Sequence, residues 1–122
     1  MVSLLGNPRK SPLRQKASCI LKDAMGLKPT EGILIVTDRL LFNLAGEFFF
    51  AAQSITPKAR LITIDIPQTH GTEPHRGVAL MMKSHEVCLL ITTKSLTHTN
   101  ATANATKNGA RIASMPGLTA GM

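Results

Sequence analysis

The sequence predicts an α/β fold, a three-layer Rossmann-like or flavodoxin-like parallel sheet of about four strands in the order 2-1-3-4, preceded by an N-terminal helix. Three observations predict it. Short apolar segments alternate with helix-length segments along the whole chain. The runs at 32–37 (GILIVT) and 87–92 are continuously apolar, as in strands covered on both faces. The run at 60–66 (RLITIDI) instead alternates Ile62, Ile64 and Ile66 with Leu61, Thr63 and Asp65, which suits an edge strand.

The elements follow in order. Residues 11–26 form a helix with Ser11 as N-cap, Pro12 in the first turn and Gly26 as the stop. Its apolar face is Leu13, Ala17, Ile20, Leu21, Ala24 and Met25. After the first strand, residues 39–55 form a helix whose sheet-facing stripe is Leu41, Leu44, Ala45, Phe48, Ala52 and Ile55. All four phenylalanines lie on this helix, with Phe42 and Phe49 at the margin of the stripe and Phe50 off it. Loops could cover these extra rings, or they could form an interface with another chain or a further domain. Residues 74–84 form a short helix begun by Pro74, with Thr72 or Glu73 near the cap. Residues 95–108 form a polar helix capped by Ser95 and closed by Asn108-Gly109, and 110–114 form the last strand.

Bulk properties narrow the functional classes. A chain of 122 residues with 43% hydrophobic residues reads as one domain, 1–122, with a real core. No apolar run approaches the roughly 18–20 residues of a membrane span, and MVSLLGNPRK has too short an apolar core for a secretory signal. A cytoplasmic protein is expected, so the Asn-Ala-Thr triplets at 100–102 and 104–106 are not read as glycosylation sites. Two cysteines, Cys19 and Cys88, make neither a disulfide framework nor a metal knuckle. Of the +7 net charge, five units fall in residues 1–28, where Arg9, Lys10, Arg14, Lys16, Lys22 and Lys28 face only Asp23. A solvated basic helix face explains this, and with no Trp or Tyr to stack on bases, nucleic acid is not the expected partner.

Three segments carry candidate chemistry. HGTEPH at 70–75 holds His70, Glu73 and His75, but Pro74 interrupts it and the spacing is not that of a helical zinc site. Ser95 and His98, with Asp38, end up at strand C-terminal ends, where doubly wound sheets bind ligands. No Gly-x-Ser-x-Gly elbow accompanies them. The helix start after Thr93 offers backbone N–H groups beside Lys94 and several hydroxyls, suited first to a structural cap and second to a carboxylate or phosphate. Neither a dinucleotide fingerprint nor a P-loop is present.

The segments TTKSLTHT and GARIASMPGLT resemble the strand-helix-strand region of the aminopeptidase T family, thermophilic leucyl aminopeptidases that use metal ions. GLKPTEGILIVTD, ARLITIDI and EPH…MMKSHEV agree in order, so the resemblance spans roughly 12–118. It implies the N-terminal α/β domain of such an enzyme, without the later domain whose Glu, His and Asp residues hold zinc, cobalt or manganese. No metal ligand or catalytic residue is therefore carried over, and no cofactor is expected in this chain. Proteins related in fold include dihydroxypyridine dioxygenases, so the resemblance does not fix a chemistry. The leading expectation is a domain, non-catalytic alone, that acts in assembly or in forming a substrate cleft. It would be a homo-oligomer or the partner of a missing C-terminal domain, with Phe42, Phe49 and Phe50 as the interface. The alternative is a small ligand- or anion-binding protein or enzyme using Asp38, Thr93, Lys94, Ser95 and His98.

Overall fold

The computed structural model describes residues 12–66, 69, 72–94, 96 and 98–114. Ser11, His70 and Ser95 lie outside the described residues. Helix α1 (Pro12–Cys19) continues as a wider π-helical turn over Ile20–Ala24. It stops at Gly26, whose φ of 62° suits a residue without Cβ, while the Leu27 N–H closes back onto the Leu21 carbonyl at 2.9 Å. Then come β1 (Ile33–Asp38), α2 (Phe42–Gln53), β2 (Ala59–Ile64), α3 (Arg76–Lys83), β3 (Val87–Ile91), α4 (Asn100–Lys107) and β4 (Arg111–Ser114). The strands form one parallel sheet in the order β2-β1-β3-β4, as the apolar patterns predict.

Strand alternation builds two cores from one sheet. Ile33 and Ile35 of β1, with Val87, Leu89 and Ile91 of β3, meet Ala17 and Leu21 from the first helix and Leu44, Ala45 and Phe48 of α2. Leu34, Val36, Cys88 and Leu90 face the other way and meet Met82, Leu96, Ala101 and Ala105 from the α3–α4 layer. Both central strands are buried along their whole length, whereas β2 is only half-buried, as expected of an edge. Burial pushes the Cys88 thiol up to about 12, while Cys19 is exposed on the outer side of the first helix. Among the described residues no helix is long and apolar enough to cross a membrane.

Three helices start later than periodicity suggests, each because a side chain takes over the first amides. Asp38 holds the Leu40 and Leu41 N–H groups, so α2 begins at Phe42 rather than at residue 39. His75 caps α3 through Nδ1, which accepts the Gly77 N–H at 3.0 Å; neither Thr72 nor Glu73 does so. Thr99, not Ser95, caps α4: its hydroxyl accepts the Thr102 N–H at 3.2 Å. Leu96, expected on the polar helix, is fully buried in the core ahead of it.

The N-terminal ends of the strands are clamped by side chains. Glu86 accepts the Gly32 N–H at 2.6 Å, and this bond holds its carboxyl below the usual carboxylate value. Arg111 donates to both Glu31 carboxylate oxygens and to the Met25 and Gly26 carbonyls, tying β4 to the turn before β1. The Arg111 guanidinium likewise holds the Glu31 carboxyl below its ordinary value. A carboxylate with a lowered folded pKa contributes stability above its unfolded value, and loses it as pH falls through the folded one. Arg111→Ala should therefore lower stability at pH 7 by about 1 kcal/mol, a value discounted for the partial exposure of the pair. Urea unfolding at neutral pH and at a pH below the folded Glu31 value checks this: the gap between the two proteins should narrow in acid.

Candidate functional site

The sheet order dictates where a site forms. From β1 the chain crosses through α2 on one face to β2. It then passes β1 through α3 on the other face to β3, and continues through α4 to β4. The loops leaving β1 and β3 therefore part to opposite faces, opening a crevice at the C-terminal ends of these two neighbouring strands.

Asp38, the last residue of β1, is fully buried at this end of the sheet. Its carboxylate accepts four hydrogen bonds. Oδ1 takes the Leu40 N–H at 3.0 Å, the Leu41 N–H at 3.2 Å and the Thr93 hydroxyl at 3.1 Å. Oδ2 takes the Thr93 N–H at 2.6 Å. A buried carboxylate needs such donors to offset its lost hydration. One side chain thus starts α2, closes the β1–α2 turn and bridges to the strand end across the crevice. The bonds described for Asp38 all come from Leu40, Leu41 and Thr93, and none from His98.

The second carboxylate comes from an unexpected quarter. Glu73, in the segment between β2 and α3, accepts the Asn100 N–H at 2.5 Å and the Ala101 N–H at 3.2 Å. These are the first two amides of α4, where unpaired N–H groups and the helix dipole favour an anion. In the sequence, Glu73 stands only in HGTEPH, whose spacing is not that of a helical zinc site. Its position opposite a helix start depends on tertiary geometry, and no local pattern announces it. Among the described residues no group of three or more His, Cys, Asp or Glu side chains could hold a metal ion.

The remaining candidates fall around these two points. Thr93 and Asp38 are brought together directly. Lys94 is half-buried and follows Thr93, with its carbonyl accepting the Thr92 hydroxyl at 2.6 Å. His98 is exposed next to the cap residue Thr99, and Ser95 lies outside the described residues. On α2, Phe42 and Phe50 are exposed at 46% and 48%, whereas Phe49 is half-buried against the core.

No known protein family and no curated protein matches the sequence. Among solved structures, the chain is similar to 2,5-dihydroxypyridine dioxygenase from Pseudomonas putida KT2440, with a TM-score of 0.71 and 14% identity over 85% of this chain. It also matches pyridoxamine-pyruvate aminotransferase from Mesorhizobium loti at a TM-score of 0.43 and 18% identity over 88% of this chain, a likeness too low to carry an argument. The chain spans about a third of the length of each, 33% and 34%. The first match shows a shared fold. That match, and the absence of any family match, overturn the resemblance to aminopeptidase T, and with it the reading as an aminopeptidase-related or hydrolase-family domain. The structure explains what misled: in KSLTHT and GARIASMPG the threonine that caps α4 and the Gly109 turn at φ 97° perform tasks that any strand-helix-strand unit requires.

Removing the Asp38 carboxylate orphans three backbone N–H groups and one hydroxyl. Asp38→Ala should cost about 3–5 kcal/mol in urea unfolding, and Asp38→Asn about 1–3, since the amide keeps one acceptor oxygen. A loss within experimental error for Asp38→Ala would mean that these bonds do not hold the crevice together.

Proposed function

We propose that this protein is a small ligand-binding domain or enzyme that receives an anionic group at the C-terminal ends of its strands, against the start of α4. The observation that carries this reading is the Glu73 carboxylate, which already sits on the Asn100 and Ala101 amides. The two carboxylates at this end of the sheet differ in kind. Asp38 is fully buried and held by four donors. Glu73 is exposed and comes from a segment without regular secondary structure, so an incoming carboxylate or phosphate replaces one anion with another at the same amides. Lys94 supplies a cation on the connection after β3, and His98 a polar group on the same connection. Asp38 serves as the fixed floor of the site and Thr93 as its tie.

The reaction of the Pseudomonas dioxygenase is not transferred, because the match covers 33% of that chain. The proposal places the protein in the cytoplasm, in keeping with two free thiols.

Titration of the isotopically labelled protein with inorganic phosphate and with succinate, followed by amide NMR, tests the reading. Shifts should concentrate at Lys94, Asn100 and Ala101. Glu73→Ala should tighten binding about tenfold by removing the internal competitor, a difference of about 1.4 kcal/mol. Absence of shifts at these amides in both proteins would refute the proposal.

A further inference from the structure

A second feature lies at the opposite end of the sheet, where α4 stops. Of the asparagines in the chain, Asn7, Asn43, Asn100, Asn104 and Asn108, only Asn108 precedes a glycine. Asn108 is the C-cap of α4 and is exposed. Its side chain reaches the neighbouring helix, where Nδ2 donates to the Lys83 carbonyl at 3.0 Å. Lys83 ends α3, so this carbonyl is one of those that a helix leaves without an internal partner. Gly109 follows with a φ of 97°. The Gly109 N–H donates to the Thr106 carbonyl at 3.0 Å, and the Ala110 N–H donates to the Ala105 carbonyl at 3.0 Å. These two bonds make a Schellman turn, which seats Ala110 in the core beside Ala105.

We propose that Asn108 is a modification site: it deamidates to aspartate or isoaspartate when this turn opens, and the product unties α3 from α4. The only co-reactant is water. The Gly109 backbone nitrogen gives up its proton and attacks Asn108 Cγ. A C–N bond forms, ammonia leaves, and a five-membered succinimide results. Water then opens the ring at either carbonyl. Glycine at the attacking position has no Cβ to obstruct the approach. The folded turn opposes the step twice. The ψ of 7° at Asn108 eclipses the Gly109 nitrogen with the Asn108 nitrogen, whereas ring closure needs it on the side of Cβ. The Gly109 N–H is also engaged by Thr106. Reaction therefore waits for the last turn of α4 to fray, as exposed helix ends do. The product differs from the amide in two ways. A carboxylate has no proton to give the Lys83 carbonyl, and it puts negative charge at the C-terminus of α4, where the helix dipole opposes it.

Peptide mapping by mass spectrometry tests this on the full chain, held at mildly alkaline pH with and without denaturing urea. Amide-to-acid conversion should begin at Asn108 in both conditions, slower by about tenfold or more in the folded protein. NMR then reads the tie. The Ser84 amide belongs to the same peptide group as the Lys83 carbonyl. Its resonance should move in the deamidated protein and in Asn108→Asp, while those of Leu89 and Leu90 stay in place. Four results overturn the proposal: conversion that begins at another asparagine, equal rates with and without urea, a folded chain that stays unconverted over many half-lives of the unfolded one, or an unmoved Ser84 resonance.

Discussion

The carboxylate of Asp38 is the interaction on which the working end of this fold depends. Parallel sheets separate at the point where consecutive crossovers leave for opposite faces, and that separation exposes strand ends whose amides need partners. Here one side chain supplies them. By accepting from Leu40, Leu41 and Thr93 at once, Asp38 terminates β1, starts α2 and fixes the loop after β3. Asp38 itself is completely buried, so these bonds replace the hydration its carboxylate loses. In the proposed reading this fixed strand end is the floor on which a ligand would sit.

Around that floor the polar contacts divide into permanent and exchangeable ones. At the N-terminal ends of the strands, Glu86 and the Arg111–Glu31 pair lock β1 and β4 to the preceding turns. At the C-terminal ends, Asp38 is locked, but the Glu73 clamp on α4 is exposed and made by a segment outside any helix or strand. The N-terminus of a helix favours any anion of suitable shape, and here an internal carboxylate makes that stabilising contact. The proposed anion-binding reading rests on this contrast between a buried carboxylate at Asp38 and an exposed one at Glu73.

Much of this was readable from residue order. Continuous apolar runs at Ile33–Asp38 and Val87–Ile91 identified the two central strands, and the alternation at Arg60–Ile64 put β2 at an edge, which led to the observed order. Helix starts were less legible. Asp38, His75 and Thr99 each decide a start by a hydrogen bond to an amide two or three residues on, and sequence offers several equivalent polar residues for each task. Grouping Asp38 with Thr93 needed only the rule that strand ends converge. Glu73 could not be placed, because its partners lie 27 and 28 residues away and the contact exists only when α3 and α4 share one face of the sheet. The family resemblance failed for a related reason: capping threonines and a glycine turn are demanded by the architecture and are shared by proteins of unrelated activity.

Amide hydrogen exchange of the wild-type protein measures the distinction between the two carboxylates most directly. The Thr93 amide, bound to buried Asp38, should exchange as slowly as the β3 amides of Leu89 and Leu90, through global unfolding. The Asn100 and Ala101 amides, bound to exposed Glu73, should exchange orders of magnitude faster through local opening. Equal protection of Thr93 and Asn100, or rapid exchange at Thr93, would contradict an account built on one fixed and one displaceable carboxylate.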